Sequence, residues 1–307
     1  MKTFVIAEVG CNHRGDLDTA LEMVRISATV AKVDAVKFQK RCNKELLSPE
    51  EYNRPHPNPA FAYGPSYGLH REALEFTVDE HRILAQACTE LGIEYSTSVW
   101  DLTSAREMAE VSPGWLKVPS ACNLNKPLLS VLADSFGGKI HLSLGMTTRA
   151  QEEMIVQFFE DKGRAADLVL YACTSGYPVD FDDICLLEIP RLVEAYGSTV
   201  AGIGFSGHHL GIAADIGALT LGARFFERHF TLDRTWKGTD HAASLETAGM
   251  TKLTRDIRNV SRALTTKPQD ILVVEQPALD KLKQGQVHWE DSSPARRPWL
   301  QLLKKGA

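Results

Sequence analysis

Eight times in its first 265 residues this chain sets a short β-branched or apolar run ahead of a stretch with helical spacing. That count constrains the fold more than any other feature. The strand-like runs are Phe4–Val9, Ala35–Phe38, Ile93–Ser96, Trp115–Val118, Lys139–Ser143, Leu168–Tyr171, Val200–Phe205 and Ala223–Glu227. Helical patterns follow over about 17–31, 78–91, 101–110, 125–135, 148–161, 182–196, 209–221 and 246–264. Strands alternating with helices predict a parallel sheet with crossover helices. Eight such units in roughly 265 residues predict the α/β class, as a (β/α)8 TIM barrel spanning 1–265. An open doubly wound sheet is the rival, but no GxGxxG turn follows the first strand, and Gly202-Ile203-Gly204 lies inside a strand run.

Two segments depart from the alternation. Residues 41–75 carry Pro55, Pro57, Pro59 and Pro65 among Tyr and Gly, which predicts a long ordered loop after strand 2. From 266 the pattern breaks into a C-terminal tail, 266–307, with Pro277, Pro294, Pro298, Trp289 and Trp299. It is expected to be a partly ordered arm on the barrel or on a partner subunit.

Composition removes other classes. With 34 Lys and Arg against 39 Asp and Glu, the net charge is −5, and no basic run suggests nucleic-acid binding. No apolar run approaches the roughly 18–20 residues of a membrane span. The N-terminus enters a strand with no signal-peptide core before it. Six scattered cysteines without a CxxC pair read as reduced thiols, so a cytoplasmic protein is expected.

In a TIM barrel the chemistry sits at the C-terminal ends of the strands. Here those ends turn polar in all eight units. They offer Glu8, Lys37 and Gln39, Ser96–Ser98, Lys117 and Ser120, Ser143, Ser175 and Tyr177, Ser206 and His208, then Glu227–His229 and Asp240. His208 and His229 fall on neighbouring strand ends, and two imidazoles with open positions suit Mn²⁺, Fe²⁺ or Zn²⁺. The bland alternative makes each a hydrogen-bonded scaffold residue. Lys37 and Lys117 sit inside apolar strands and need partners. With the Ser, Thr and Asn groups around them they form a cradle for phosphate or carboxylate, or else they are surface charges. Glu8 is either an acid/base or sugar ligand, or a salt-bridge partner of one of those lysines. Spacing alone thus points to a metal-assisted enzyme acting on a small anion.

The residues also carry a resemblance. Ile6-Ala7-Glu8-Val9-Gly10-Cys11-Asn12-His13 with Gly15, then Lys37-Phe38-Gln39, resembles the opening of the sialic acid synthase (N-acetylneuraminate synthase) family. So do Lys117-Val118-Pro119-Ser120, Ser143-Leu144-Gly145-Met146, Tyr177-Pro178 and Gly204-Phe205-Ser206-Gly207-His208. Glu227-Arg228-His229-Phe230-Thr231-Leu232-Asp233 and Gly238-Thr239-Asp240-His241 with Ser244 complete it, in order through about residues 4–246. The resemblance implies a TIM-barrel enzyme that condenses phosphoenolpyruvate with an open-chain aldose, giving a 2-keto-3-deoxy sugar acid and phosphate. It implies that His208 and His229 bind a divalent metal, typically Mn²⁺. It assigns phosphoenolpyruvate to Lys37, Thr97, Lys117, Ser120, Ser143, Ser175 and Ser206, and the sugar to Glu8, Gln39, Tyr177 and Asp240. At Ser175 a familiar pattern has Asn.

Two departures, and one further cysteine, qualify what the resemblance implies. Cys122 stands where many members carry a sugar-contacting Glu, and a thiol accepts hydrogen bonds poorly. Many members also carry a C-terminal antifreeze-like domain that supplies an Arg to the partner's active site. The tail here is expected to lack it, with Arg296 and Arg297, or His70 and Arg71 of the long loop, as substitutes or as plain surface charges. Members with that domain form swapped dimers, so a homodimer here would use the tail or the barrel helices. Cys11 follows strand one, where some phosphoenolpyruvate-condensing synthases place a metal-binding Cys; a buried inert thiol is the alternative. Rival functions are a metal-free Schiff-base aldolase using Lys37 or Lys117, a non-catalytic sugar-binding homologue, and a synthase taking a phosphorylated aldose, of octulosonate type.

Overall fold

The computed structural model describes residues 2–283. Eight parallel strands close into a barrel in sequence order. They are β1 (Phe4–Gly10), β2 (Ala35–Lys40), β3 (Glu94–Val99), β4 (Trp115–Val118), β5 (Lys139–Ser143), β6 (Leu168–Cys173), β7 (Gly202–Gly207) and β8 (Phe225–His229). The covering helices are α1 (Leu17–Thr29), α2 (Val78–Glu90), α3 (Leu102–Val111), α4 (Lys126–Ser135), α5 (Arg149–Asp161), α6 (Glu188–Tyr196), α7 (Ala213–Thr220) and α8 (Thr247–Ala263). β1 pairs in parallel with β2 on one side and β8 on the other, with a register shift between Glu8 and Gly10 on the β2 side. The expected (β/α)8 barrel is therefore the observed fold.

Local chemistry sets where these elements begin and end. Thr77 and Thr148 open α2 and α5 with reciprocal capping boxes to Glu80 and Gln151. Asp101 caps α3 through the backbone N–H of Ser104. Two expected helices start late. The pattern from 182 gives only a 3₁₀ turn, Phe181–Asp183, before α6, because Cys185 takes a left-handed backbone (φ 54°) that interrupts the helix. The pattern from 209 yields α7 only at Ala213, after Gly211 turns the chain at φ +76°. The proline-rich 41–75 segment is ordered but is not plain loop. It holds four short helices, Asn43–Leu46, Pro49–Asn53, Pro59–Phe61 and Tyr67–Glu72, the last three begun by the side-chain caps Ser48, Asn58 and Ser66.

The core has two layers. A large apolar cluster fills the space between the strands' outward faces and the helices. A small cluster of Ile6, Ala35, Trp115, Val169 and Tyr171, with Phe4 and Phe225, plugs the barrel interior. Side chains alternate along a strand, so the next inward positions are Glu8, Lys37, Lys117, Cys173 and Glu227. The interior thus changes from apolar to ionic within two residues of climb. Gly204 leaves the room Tyr171 occupies, since a Cβ there would lie 2.6 Å from its ring.

The chain divides into two compact units after Leu264. In the second, described residues 265–283 contribute the short helix Gln276–Leu282 and a Lys267–Glu275 ion pair. Trp289, Pro294, Arg296, Arg297, Pro298 and Trp299 lie outside the described residues. Among the described residues no helix is long and apolar enough to cross a membrane.

Candidate active site

The barrel mouth holds two adjoining cavities. The inner one, about 340 Å³, is lined by Glu8, Lys37, Gln39, Lys117, Ser120, Ser143, Ser175, Tyr177, Ser206, His208 and His229 among others. The outer one, about 330 Å³, shares Gln39, Trp100, Tyr177 and His229 and adds Asp240 with residues of the 41–75 insertion. Twelve of the thirteen sequence-derived site residues therefore face one continuous space.

Thr97 is the exception and lines neither cavity. The two-residue period of β3 puts it on the face of Tyr95 and Val99, towards the helices, and its hydroxyl lacks a hydrogen-bond partner. Its neighbour Ser98 takes the inward place and accepts from Lys37 Nζ at 2.6 Å.

An ionic lattice floors the inner cavity. Lys37 Nζ lies 2.5 Å from Glu8 Oε2 and 3.8 Å from Glu227 Oε2. Lys117 Nζ donates to both Glu227 oxygens at 3.0 Å and sits 4.3 Å above the Tyr171 ring. Ser206 donates to Glu227 at 3.1 Å, and Gln39 to Glu8 at 2.8 Å. Burial pushes the Glu227 carboxyl up, but Lys117 and Lys37 outweigh it and hold the group well below the usual carboxylate range. Burial, aided by Lys37, pulls the Lys117 ammonium down against Glu227. Two lysines thus face two glutamates, and the floor is neutral as a set.

On one wall, Ser120 Oγ accepts the Gly145 N–H at 3.1 Å, and Ser143 and Ser175 stand beside it. A Cβ on Gly145 would lie 2.5 Å from Ser175 Oγ and 2.6 Å from Ser120 Oγ, so only glycine lets the two hydroxyls converge. On the opposite wall His208 and His229 stand 5.7 Å apart, centroid to centroid, with Tyr177 packed 4.3 Å from His208. His208 Nδ1 lies 3.1 Å from the Thr174 carbonyl, which only accepts; Nδ1 therefore carries the proton and Nε2 keeps a lone pair. Burial, reinforced by His229, lowers the His208 pKa to about 3, so the ring is neutral. His229 Nδ1 is buried without a partner.

Two imidazoles on neighbouring strand ends fit a divalent ion that keeps open positions for other ligands. Among the described residues no group of three or more His, Cys, Asp and Glu converges as a closed metal site. The floor's balanced charge leaves a strongly anionic ligand short of positive charge, and an ion at the histidines would supply it. Glu8, Gln39 and His229 converge in turn. A Cβ at Gly10 would lie 3.2 Å from Glu8 Oε1, 3.1 Å from Gln39 Nε2 and 3.5 Å from His229 Cε1.

Asp240 lines the outer cavity. Burial raises its carboxyl, but His229, the Thr239 hydroxyl and two arginines, Arg41 and Arg71, more than offset this and hold it down. Cys122 faces neither cavity: its thiol donates to the Trp100 carbonyl at 3.2 Å, and burial pushes its pKa up to about 11. Ala121 lines the inner cavity instead. Cys11 faces the outer cavity beside Arg41, 3.4 Å from Nη1, and burial raises its pKa. Glu227 is the main residue that sequence reasoning passed over. It sat at the end of strand eight, but only the closed barrel sets it between both lysines. Ser98 and Arg41 were missed likewise, and the inward parity shared with Lys37 was the available signal for Ser98.

The chain has relatives. The model of the NeuB family matches residues 23–269. The chain is 35% identical over 279 residues to the N-acetylneuraminate-9-phosphate synthase of Homo sapiens, covering 91% of this chain and 76% of that protein. It is 30% identical to the N,N'-diacetyllegionaminic acid synthase of Campylobacter jejuni, covering 97% of this chain and 91% of that one. Among solved structures, the N-acetylneuraminic acid synthetase of Leptospira borgpetersenii superposes with a TM-score of 0.77 at 28% identity, covering 92% of this chain and 93% of that one.

Proposed function

This chain belongs to the NeuB family and is a sugar-acid synthase, and from that premise we propose that it condenses phosphoenolpyruvate with an open-chain aldose of the N-acetylmannosamine type. The products are a nonulosonic 2-keto-3-deoxy sugar acid and inorganic phosphate. The observation that carries this reading is the inner cavity, where two lysines and the serine wall face the imidazoles of His208 and His229. The lysines favour anion binding over Schiff-base chemistry. Each is engaged by a carboxylate, Lys37 by Glu8 at 2.5 Å and Lys117 by Glu227 at 3.0 Å, rather than standing free as a nucleophile.

The roles follow from charge and position. Lys37, Lys117, Ser120, Ser143, Ser175, Ser206 and the Gly145 N–H hold the phosphate and carboxylate of phosphoenolpyruvate. Gln39, Tyr177 and Asp240 hold the aldose. His208 and His229 hold a divalent ion, Mn²⁺ in our reading, and such an ion supplies Lewis-acid polarisation of the aldehyde. C3 of phosphoenolpyruvate uses its enol electron pair to bond the aldehyde carbon, leaving positive charge at C2. Water adds at C2 and gives one proton to Glu8, matching the proton the new sugar hydroxyl requires. The C2–O bond to phosphate then breaks, C2 becomes the ketone, and the second water proton leaves with phosphate.

Two tests follow. Prolonged EDTA treatment is expected to abolish phosphate release, Mn²⁺ to restore it, and His229→Ala to lose the bound-ion signal in Mn²⁺ electron paramagnetic resonance. Full turnover of metal-stripped protein would remove the metal from this reading. Gly145→Ala is expected to raise the KM for phosphoenolpyruvate at least about tenfold, because the methyl group forces two hydroxyls apart. An unchanged KM would take Ser120 and Ser175 out of the phosphoenolpyruvate site.

A further inference from the structure

We propose that Arg41 is a positioning residue for the condensation, holding the Gln39 amide in the one orientation that receives the acceptor sugar. This rests on the condensation reading above, in which Gln39 holds the aldose, and adds to it a residue that acts on the sugar without touching it.

Strand parity places Arg41. Lys37 and Gln39 face inward from β2, and the next position of that period is Arg41, one residue past the strand's end. Its side chain is buried, and its terminal nitrogens are engaged by the protein. Nη2 donates to Gln39 Oε1. Nη1 lies 3.4 Å from the Cys11 sulfur and 3.6 Å from Glu75 Oε1. The guanidinium carbon lies over the Trp100 ring, 4.1 Å from its centroid. Glu75 grips the backbone as well, its Oε2 accepting the Arg41 N–H at 2.9 Å. A guanidinium so committed has little left to offer a substrate, although it borders the outer cavity.

What Arg41 controls is the amide beside it. The two ends of a glutamine amide have nearly the same shape but opposite hydrogen-bonding character. Arg41 can only donate, so it selects Oε1. Glu8, as a carboxylate, can only accept, so it selects Nε2 and takes that N–H at 2.8 Å. A cation at one end and an anion at the other thus impose the same orientation. This uses one N–H and one lone pair. A second N–H remains, together with a lone pair that meets only the weak Cys11 thiol at 3.9 Å. Gln39 lines both cavities, so these free groups stand where the aldose must pass from one to the other. A sugar hydroxyl both donates and accepts, and it matches them. Without Arg41 the amide keeps a single anchor and pivots about its bond to Glu8, and the preorganisation of the acceptor site is lost.

The test is a double-mutant cycle between Arg41→Met and Gln39→Ala. It is read as phosphate release from phosphoenolpyruvate with N-acetylmannosamine or its 6-phosphate, whichever wild type turns over faster. Met keeps an apolar stem against Trp100 and removes every donor. Alone, Arg41→Met is expected to lower kcat/KM for the acceptor by about 10- to 100-fold, the worth of a hydrogen bond to a charged group. The KM for phosphoenolpyruvate should hold within about twofold, and in the Gln39→Ala background Arg41→Met should change the acceptor's kcat/KM by no more than about twofold. Arg41→Lys keeps a charge facing Glu75 and one donor for the amide, and should recover part of the loss. Because Arg41→Met leaves Glu75 without its partner, the cycle is repeated with Arg41→Met and Glu75→Gln together, which removes both charges. Losses that multiply when Arg41→Met and Gln39→Ala are combined, or a phosphoenolpyruvate KM that rises as far as the acceptor's, overturn this proposal and leave the condensation reading standing. A wild type that releases no phosphate with either acceptor overturns the condensation reading and this proposal with it.

Discussion

Glu227→Gln is expected to lower the unfolding temperature by roughly 10 °C and to lose most synthase activity. Glu227 is buried and answers both lysines, at 3.0 Å from Lys117 and 3.8 Å from Lys37. Removing one partner of a buried ion pair costs about 3–5 kcal/mol, because the other charge stays buried and unmatched. In a domain of this size about 2–4 °C follow each kcal/mol. Lys117 has an escape, since burial already pulls its pKa down, and shedding its proton keeps the loss near the lower end. Wherever Lys117 keeps its proton instead, the floor carries one surplus positive charge. An anion can replace the missing carboxylate, so phosphoenolpyruvate should raise the melting temperature of the variant more than that of wild type. Thermal scans with and without ligand read both effects. A variant that melts with wild type, or gains no more from phosphoenolpyruvate, would show that Glu227 does not balance the lysines.

Glu8→Gln is expected to reduce kcat by about 10²- to 10⁴-fold with metal and both substrates saturating, the range for loss of a general acid–base. The amide preserves shape and most packing but cannot take the proton released when water adds at C2. Lys37 keeps Ser98 at 2.6 Å as a partner, so binding should suffer less than turnover. Near-wild-type kcat in Glu8→Gln would sink the assignment. A rise in the KM for phosphoenolpyruvate with kcat unchanged would recast Glu8 as the residue that positions Lys37.

Much of this site is legible in the sequence. Lys37 and Lys117 stood inside apolar strand runs, where an unpaired ammonium is untenable, and both turn out paired. His208 and His229 stood at consecutive strand ends, and barrel closure brings neighbouring ends together. The errors have physical causes too. Strand ends read from apolar runs fall two residues short at both β7 and β8, since the strands continue into the polar residues that face the mouth. The resemblance assigns phosphoenolpyruvate to Thr97, but the sequence offers both Thr97 and Ser98, and only register tells which hydroxyl points inward. Cys122 was expected at the sugar, but the 3₁₀ turn Ser120–Cys122 rotates its thiol to Trp100 and leaves Ala121 on the cavity.

By itself, then, the order of residues determined the barrel, the polar ring at its mouth and the chemical types in that ring. Those depend on periodicity and on the cost of burying charge, which are local. Tertiary structure alone decided which charges meet. Glu227 lies 110 positions from Lys117, and Arg71 reaches the mouth on an insertion clasped to the loop after β8. Pairing across such separations depends on strand register and loop docking, and neither is written in any stretch of sequence short enough to show a pattern.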